Sequence, residues 1–157
     1  MYPSKQTTIA FVLGRLMVGG MYLYSGITNL IELDGKAGYA ASKGLIAPTL
    51  GVTAASLLLI VAGLSLITGI RPRIGVWAVA LFLIPVTVIM HNFWALEGMQ
   101  RISELHGFLG NLALLGSALM FLAVPRPWPL SLDTWVDTLG AAFSRLREAR
   151  SVQRAEP

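Results

Sequence analysis

The feature that most constrains this chain is a series of four apolar stretches, each long enough to cross a bilayer. A transmembrane helix needs about 20 mostly apolar residues, and only helices or closed barrels satisfy backbone polar groups in lipid. The stretches lack the two-residue alternation of barrel strands. The sequence therefore predicts an all-α integral membrane protein, an antiparallel four-helix bundle within residues 1–130. The spans are predicted at residues 8–31, 50–70, 74–96 and 105–124.

Composition supports lipid as the surrounding medium. Charged residues make up 13% of the chain and hydrophobic residues 55%, whereas a soluble domain has about 25% charged residues. The chain has no cysteine, which excludes disulfides and thiolate metal sites of its own. Its basic residues do not interleave with exposed aromatic residues, so a nucleic-acid partner is not expected.

The basic residues also predict an orientation. Those near the N-terminus, in the turn after the second span and in the tail fall on one side of a four-span topology. Lys36, Lys43 and Arg101 fall on the other side, where acidic residues balance them. Because cytoplasmic loops carry the excess of Lys and Arg, both termini are predicted to be cytoplasmic.

The tail, residues 131–157, has a helical apolar pattern that is too short and too charged to span a bilayer. We expect an amphipathic helix in the membrane interface, with its arginines facing anionic headgroups. A helix docked on a partner protein is the alternative. The apolar face comprises Leu132, Trp135, Val136, Leu139, Phe143 and Leu146, and the arginines are Arg145, Arg147 and Arg150.

Polar residues follow one face of the first span. Arg15, Tyr22, Ser25 and Asn29 are spaced by seven, three and four residues, which places them along one side of a helix. One interpretation is a polar lining for a small ligand that enters from the outer side. The other is that Arg15 reaches the cytoplasmic headgroups while Ser25 and Asn29 bond to neighbouring helices.

The third span contains Thr87, His91 and Trp94 at helical spacing. His91 lies near the outer end, where an imidazole can donate to a quinone carbonyl and can change charge near physiological pH. His91 is therefore the candidate catalytic residue, and a purely structural hydrogen-bonding role is the alternative.

The fourth span begins with His106, which could approach His91 at the outer surface. Two histidines on neighbouring helices could ligate haem or a transition metal. No His-x3-His pair or local carboxylate cluster supports such a site, so no metal site is predicted. Asn111 is expected to bond to a neighbouring helix, and Gly110, Ala113 and Ser117 to allow close helix packing.

Several of these segments together resemble the DoxX family of small four-helix membrane proteins. The most specific are His91-Asn92-Phe93-Trp94 and the run from Phe108 to Gly116, FLGNLALLG. Gly14-Arg15-Leu16, the Tyr24-Ser25-Gly26-Ile27 run and the stretch from Gly63 to Arg71 add to the likeness. The resemblance covers about residues 11–123.

The resemblance implies a bacterial plasma-membrane protein, a subunit of a quinone-linked oxidoreductase system. His91 would act on a bound quinone, with no cofactor held permanently by the chain. Two departures bear on catalysis: the family often has Lys in place of Asn29, and a carboxylate in place of Ala55 or Ser56. The ligand-binding residues are predicted to be Arg15, Tyr22, Ser25, Asn29, Thr87, Phe93, Trp94, His106 and Asn111.

The alternative function is a non-catalytic accessory subunit that packs against a larger membrane complex, or against further copies of itself. Whether the chain is itself an enzyme stays open. We expect the partners to be the lipid membrane and either that complex or a homo-oligomer.

Overall fold

The computed structural model describes residues 5–133, 135–142 and 144, and its long elements are all helices. Four of them are long and apolar enough to span a membrane, which confirms the predicted helical membrane fold. The helices are α1 Lys5–Ile31, α2 Leu33–Ser42, α3 Pro48–Thr68, α4 Pro72–Met90 and α5 Gly98–Met120. Two short 3-10 turns, Phe93–Ala95 and Phe121–Ala123, follow α4 and α5.

The helix ends differ from the apolar stretches. Helix α5 begins at Gly98, seven residues before the predicted span, because polar residues such as Arg101 and Glu104 form its first turns. Helix α4 ends at Met90, and residues up to Ala95 continue as an irregular turn. Hydropathy detects the part of a helix that lies in lipid, so it misses polar turns that continue the same helix.

Helix α2 lies in the connection between the first two predicted spans. It follows α1 after Glu32, and it packs against α3 through the buried residues Ala37 and Ala40. Its folding back brings Tyr39 and the following Lys43 to the same end of the bundle as His91.

Glycines bring α1 and α3 into close contact. A Cβ added to Gly63 would lie 2.6 Å from the backbone N of Leu23 and 2.7 Å from the carbonyl O of Gly19. Small residues at such positions let membrane helices approach closely. The core continues into α4, with Tyr22, Leu59, Leu66, Val79 and Leu83 almost fully buried.

Helix α5 lies at the edge of the bundle. Within the most apolar 18 residues of this helix only 6% are buried, against 39% in the corresponding part of the α4 segment. A Cβ on Gly110 would meet open space, and Ala113 and Ser117 are exposed. Within the described residues, no helix packs closely against these small residues.

The two ends of the bundle differ chemically. The basic end holds Lys5, Arg15, Arg71, Arg73 and Arg126, and the histidine end holds Lys43, His91 and Glu104. Beyond α5, residues 125–133 fold back onto the turn between α3 and α4 at the basic end. Residues 133, 135–142 and 144 are helical and form the tail helix. Of the predicted tail residues, Phe143, Arg145, Leu146, Arg147 and Arg150 lie outside the described residues.

Candidate functional site

The His91 side chain is seated against the first turns of α5. Its backbone N–H donates to the carbonyl of Thr87 at 3.2 Å and so ends α4. Its Nδ1 lies 2.8 Å from Oε2 of Glu104. A Cβ added to Gly107 would lie 2.5 Å from Cε1 of the imidazole, so the missing side chain at Gly107 makes room for the ring.

Glu104 also binds a lysine from the other side of the site. Its Oε1 accepts a hydrogen bond from Nζ of Lys43 at 2.7 Å, and the two side chains are 19% and 17% exposed. The Lys43 ammonium lies 5.5 Å from the centre of the Tyr39 ring. The hydrogen bond to Glu104, helped by the nearby Tyr39, raises the pKa of Lys43 above its ordinary value.

These contacts join four side chains, His91, Glu104, Lys43 and Tyr39, into what we call the polar chain. An Nδ1–H that donates to a carboxylate leaves Nε2 of a neutral imidazole free as an acceptor. Within the described residues, Nε2 of His91 makes no hydrogen bond. A polar hollow of about 240 Å³ lies over Lys43 and Glu104, so water can reach the polar chain from the histidine end.

An apolar cavity of about 260 Å³ lies between α3 and α4. Its walls include Leu58, Leu81 and Pro85. A second compartment of about 140 Å³ lies beside it, towards α1 and α2. The two share Val52, Ala55, Phe82, Val86 and Met90.

The smaller compartment has a polar rim of Asn29, Lys36 and Tyr39. Tyr39 therefore belongs both to the polar chain and to the rim of the apolar cavity. His91 itself lines neither space, although Met90 beside it lines both. Asn29 and Ala55 both face this compartment.

The aromatic residues after His91 pack on α5 and leave the cavity to other side chains. The ring of Phe93 contacts those of Trp94 and Phe108 edge-on, with centroids 5.3 Å apart in each case. Such edge contacts stabilise packing beyond the area they bury. Phe93 and Trp94 thus fix the turn that follows His91, and they do not form a wall around the cavity.

Arg15 lies far from this site, at the basic end. It is buried, and its Nη2 donates to the carbonyl of Leu130 at 2.7 Å. Its Nε and Nη1 are buried without a partner among the described residues. Arg15 does not line the cavity, because residues 125–133 fold over it at the basic end.

The other predicted residues serve helix packing or are exposed. Tyr22 is buried, with its hydroxyl 3.5 Å from the carbonyl of Leu114. Thr87 donates to the carbonyl of Leu83 at 2.5 Å. Ser25 and Asn111 are half-buried, and the Asn111 side chain makes no hydrogen bond to the described part of the chain. His106 is exposed, and the partner of His91 is Glu104 instead.

Sequence reasoning missed Glu104, Lys43 and Tyr39. A helix that starts at Gly98 places Glu104, Gly107 and Phe108 on one face, at i, i+3 and i+4. Recognising that helix start would have placed Glu104 beside the segment that contains His91. Within the described residues, no group of three or more His, Cys, Asp or Glu side chains could hold a metal ion.

These features define a small four-span membrane protein with a polar chain at one end and an apolar cavity beside it. The DoxX family model matches residues 10–92, more than half of the chain. This chain belongs to the DoxX family. The match runs from α1 to the residue after His91 and does not include Glu104.

Among curated proteins, the chain is similar to the inner membrane protein YphA of Escherichia coli (strain K12). The two are 24% identical over 125 residues, which cover 80% of this chain and 89% of YphA. No solved structure matches the chain.

Proposed function

We propose that this protein is a membrane subunit that binds a quinone for an oxidoreductase system in the bacterial inner membrane. The quinone ring would lie in the compartment rimmed by Asn29 and Tyr39, and its apolar tail in the cavity between α3 and α4. The inner-membrane location rests on the similarity to YphA.

The shape and lining of the cavity support an amphipathic ligand. The larger space is lined almost wholly by apolar side chains, and the smaller one adds an amide, an ammonium and a phenol. Ligand sites are typically apolar with a few placed polar groups. Asn29 and the Tyr39 hydroxyl can both donate to a quinone carbonyl oxygen.

The observation that carries the proposal is the position of Tyr39, which joins the polar chain to the cavity. Reduction of a quinone to a quinol takes up two electrons and two protons. The electrons would come from the redox centre of a partner protein. Protons would come from water at the histidine end. The Tyr39 hydroxyl would donate to the quinone oxygen, and Lys43, held beside the Tyr39 ring by Glu104, would stabilise the negative charge that forms there. Quinol oxidation would reverse these steps.

Direct binding tests this proposal. Titration of the protein in nanodiscs with a short-chain quinone, followed by calorimetry, should give saturable binding. Ala55→Phe fills the compartment, and it should weaken binding by about tenfold or more, which is ~1.4 kcal/mol. Ala113→Phe on the exposed side of α5 is the matched control and should bind like the wild type. Failure of the wild type to bind, or equal binding by Ala55→Phe, would refute the proposal.

A role for the polar chain needs a separate readout. Tyr39→Phe keeps the ring but removes the hydroxyl, and His91→Gln removes the imidazole. In the assembled system both should slow quinone-dependent turnover more than they weaken quinone binding. Full turnover in both variants would remove the polar chain from the mechanism, even if quinone binding is confirmed.

The exposure of α5 favours a second candidate function, that of an accessory subunit in a larger membrane complex. Small residues in lipid allow a partner helix to approach, and Gly110 and Gly116 face open space. Gly110→Leu should then reduce co-purification of the partner while His91→Gln leaves it intact. Deletion of residues 133–157 should also reduce it if the tail anchors the complex. Unchanged co-purification in both the Gly110→Leu variant and the deletion variant would refute this candidate.

A further inference from the structure

The start of the tail helix is fixed at the boundary of the membrane spans. The N–H of Leu132 donates to the carbonyl of Thr68 at 2.9 Å, and Thr68 is the last residue of α3. The N–H of Arg71 donates to Oδ1 of Asp133 at 3.1 Å, and Arg71 directly precedes α4. The first turn of the tail helix is therefore held at the turn between α3 and α4.

The acidic residues of this helix are neutralised by the bundle. Asp133 is 2% exposed and forms an ion pair with Arg126. Asp137, one turn later, pairs with Arg71 at 3.0 Å. Both carboxylates turn towards the basic end, so they present no unpaired charge that would repel an anionic lipid surface. The neighbouring Arg73 is exposed and adds positive charge.

A second face of the tail helix is apolar and uncovered. Leu132, Trp135, Val136 and Leu139 recur at i, i+3, i+4 and i+7, and their exposed fractions are 49%, 71%, 38% and 57%. At 100° per residue this face points away from the face that bears Asp133 and Asp137. Contiguous exposed apolar surface marks an interaction site.

We propose that this apolar face lies in the lipid interface at the basic end, with the membrane surface itself as its occupant. Three observations favour lipid over a protein: the anchoring at the span boundary, the neutralised carboxylates and the exposed Trp135. Tryptophan is enriched at membrane–water interfaces. A short amphipathic helix there buries its apolar side at the level of the headgroups. The inference is independent of quinone binding.

The absence of cysteine in the chain makes site-specific spin labelling clean. Nitroxides would be placed at Leu139→Cys on the apolar face and at Ala141→Cys on the opposite face. The proteins would be reconstituted at high dilution in phosphatidylcholine–phosphatidylglycerol vesicles. The label at position 139 should collide more with oxygen, which concentrates in lipid, than with a water-soluble nickel chelate. The label at position 141 should show the reverse preference.

Two results would overturn the proposal. Equal access of the nickel chelate to positions 139 and 141 would place the helix in water. Poor access of both reagents to position 139 would show that protein covers this face. As a second measurement, lipids brominated near the headgroup should quench the tryptophan fluorescence of the wild type more than that of Trp135→Phe. Equal quenching would also count against insertion.

Discussion

The imidazole of His91 is hydrogen-bonded to the carboxylate of Glu104, with Nδ1 and Oε2 2.8 Å apart, although the two residues are 13 positions apart in the sequence. This contact ties the end of α4 to the second turn of α5. Glu104 holds Lys43 with its other oxygen, so one carboxylate joins α4, α5 and the connection between α2 and α3. At the histidine end this polar contact adds to the aromatic packing of Phe93, Trp94 and Phe108.

Removing the charge of Glu104 should therefore destabilise the fold. In Glu104→Gln the ammonium of Lys43 loses its anionic partner in a largely buried place, which should cost about 1–3 kcal/mol. Unfolding by SDS in mixed micelles measures this change. Glu97→Gln is the control, because Glu97 is exposed and its variant should unfold like the wild type. Equal stability of the two variants would contradict a structural role for the carboxylate.

The packing of the His91 ring against Gly107 can be tested without altering any charged group. In Gly107→Ala the new methyl overlaps the imidazole, so the ring must move away from Glu104. Overpacking of this kind costs about 1–3 kcal/mol. Gly110→Ala, one turn along α5 and facing open space, should be neutral or stabilise the helix by up to about 1 kcal/mol. The same unfolding assay compares the two variants. Gly107→Ala should lower the free energy of unfolding, and Gly110→Ala should leave it unchanged or raise it.

Much of the bundle could be predicted from hydropathy alone, because lipid requires long apolar helices. The polar chain could not, since Glu104 and Lys43 lie in segments that read as loops and their pairing depends on tertiary contacts. Arg15 illustrates a different difficulty. Its place in the first span suggested either a lining or a snorkelling role, yet residues 125–133, 115 positions away at Leu130, fold over it. No local pattern in the sequence signals that return.

The glycine pattern shows a similar division. Glycines occur in α1, α3 and α5, and nothing in the sequence separates those that pack closely from those that do not. The structure separates Gly63, where a Cβ would meet the α1 backbone, from Gly20, where it would meet nothing within 4 Å. Which face of a lipid-embedded helix meets protein is set by the neighbouring helices, and hydropathy is the same on both faces.

Substitution of these two glycines tests the closest helix contact. Gly63→Ala should push α1 from α3, and we expect a loss of about 1–3 kcal/mol in the SDS unfolding assay. Gly20→Ala is the matched control and should leave stability unchanged or slightly raised. A Gly63→Ala protein as stable as the control would mean that α1 and α3 are farther apart in the bilayer.

The two aspartates of the tail helix should differ in their effect on stability. Asp133 is buried and accepts hydrogen bonds from Arg126 and from the N–H of Arg71, so Asp133→Asn should cost about 1–3 kcal/mol. Asp137 makes an exposed ion pair with Arg71, and such pairs contribute about 0–1 kcal/mol. Asp137→Asn should therefore change the unfolding midpoint little. A larger effect at Asp137 would mean that the buried contacts of Asp133 do not hold the tail.

The Lys43–Glu104 contact also predicts how stability depends on pH. The hydrogen bond to Glu104 raises the pKa of Lys43 above its ordinary 10.5, so the charged ammonium favours the folded state. This contribution is fully present below the pKa of the unfolded chain. It is lost as the pH rises through the higher pKa of the folded state.

The stability gap between the wild type and Lys43→Gln should stay constant from neutral pH to about pH 9 and shrink only above about pH 10.5. Lys36→Gln, which removes an exposed pair with Glu32, should show a small gap at every pH. A Lys43 gap that already shrinks near neutral pH would mean that a different titrating group controls the contact.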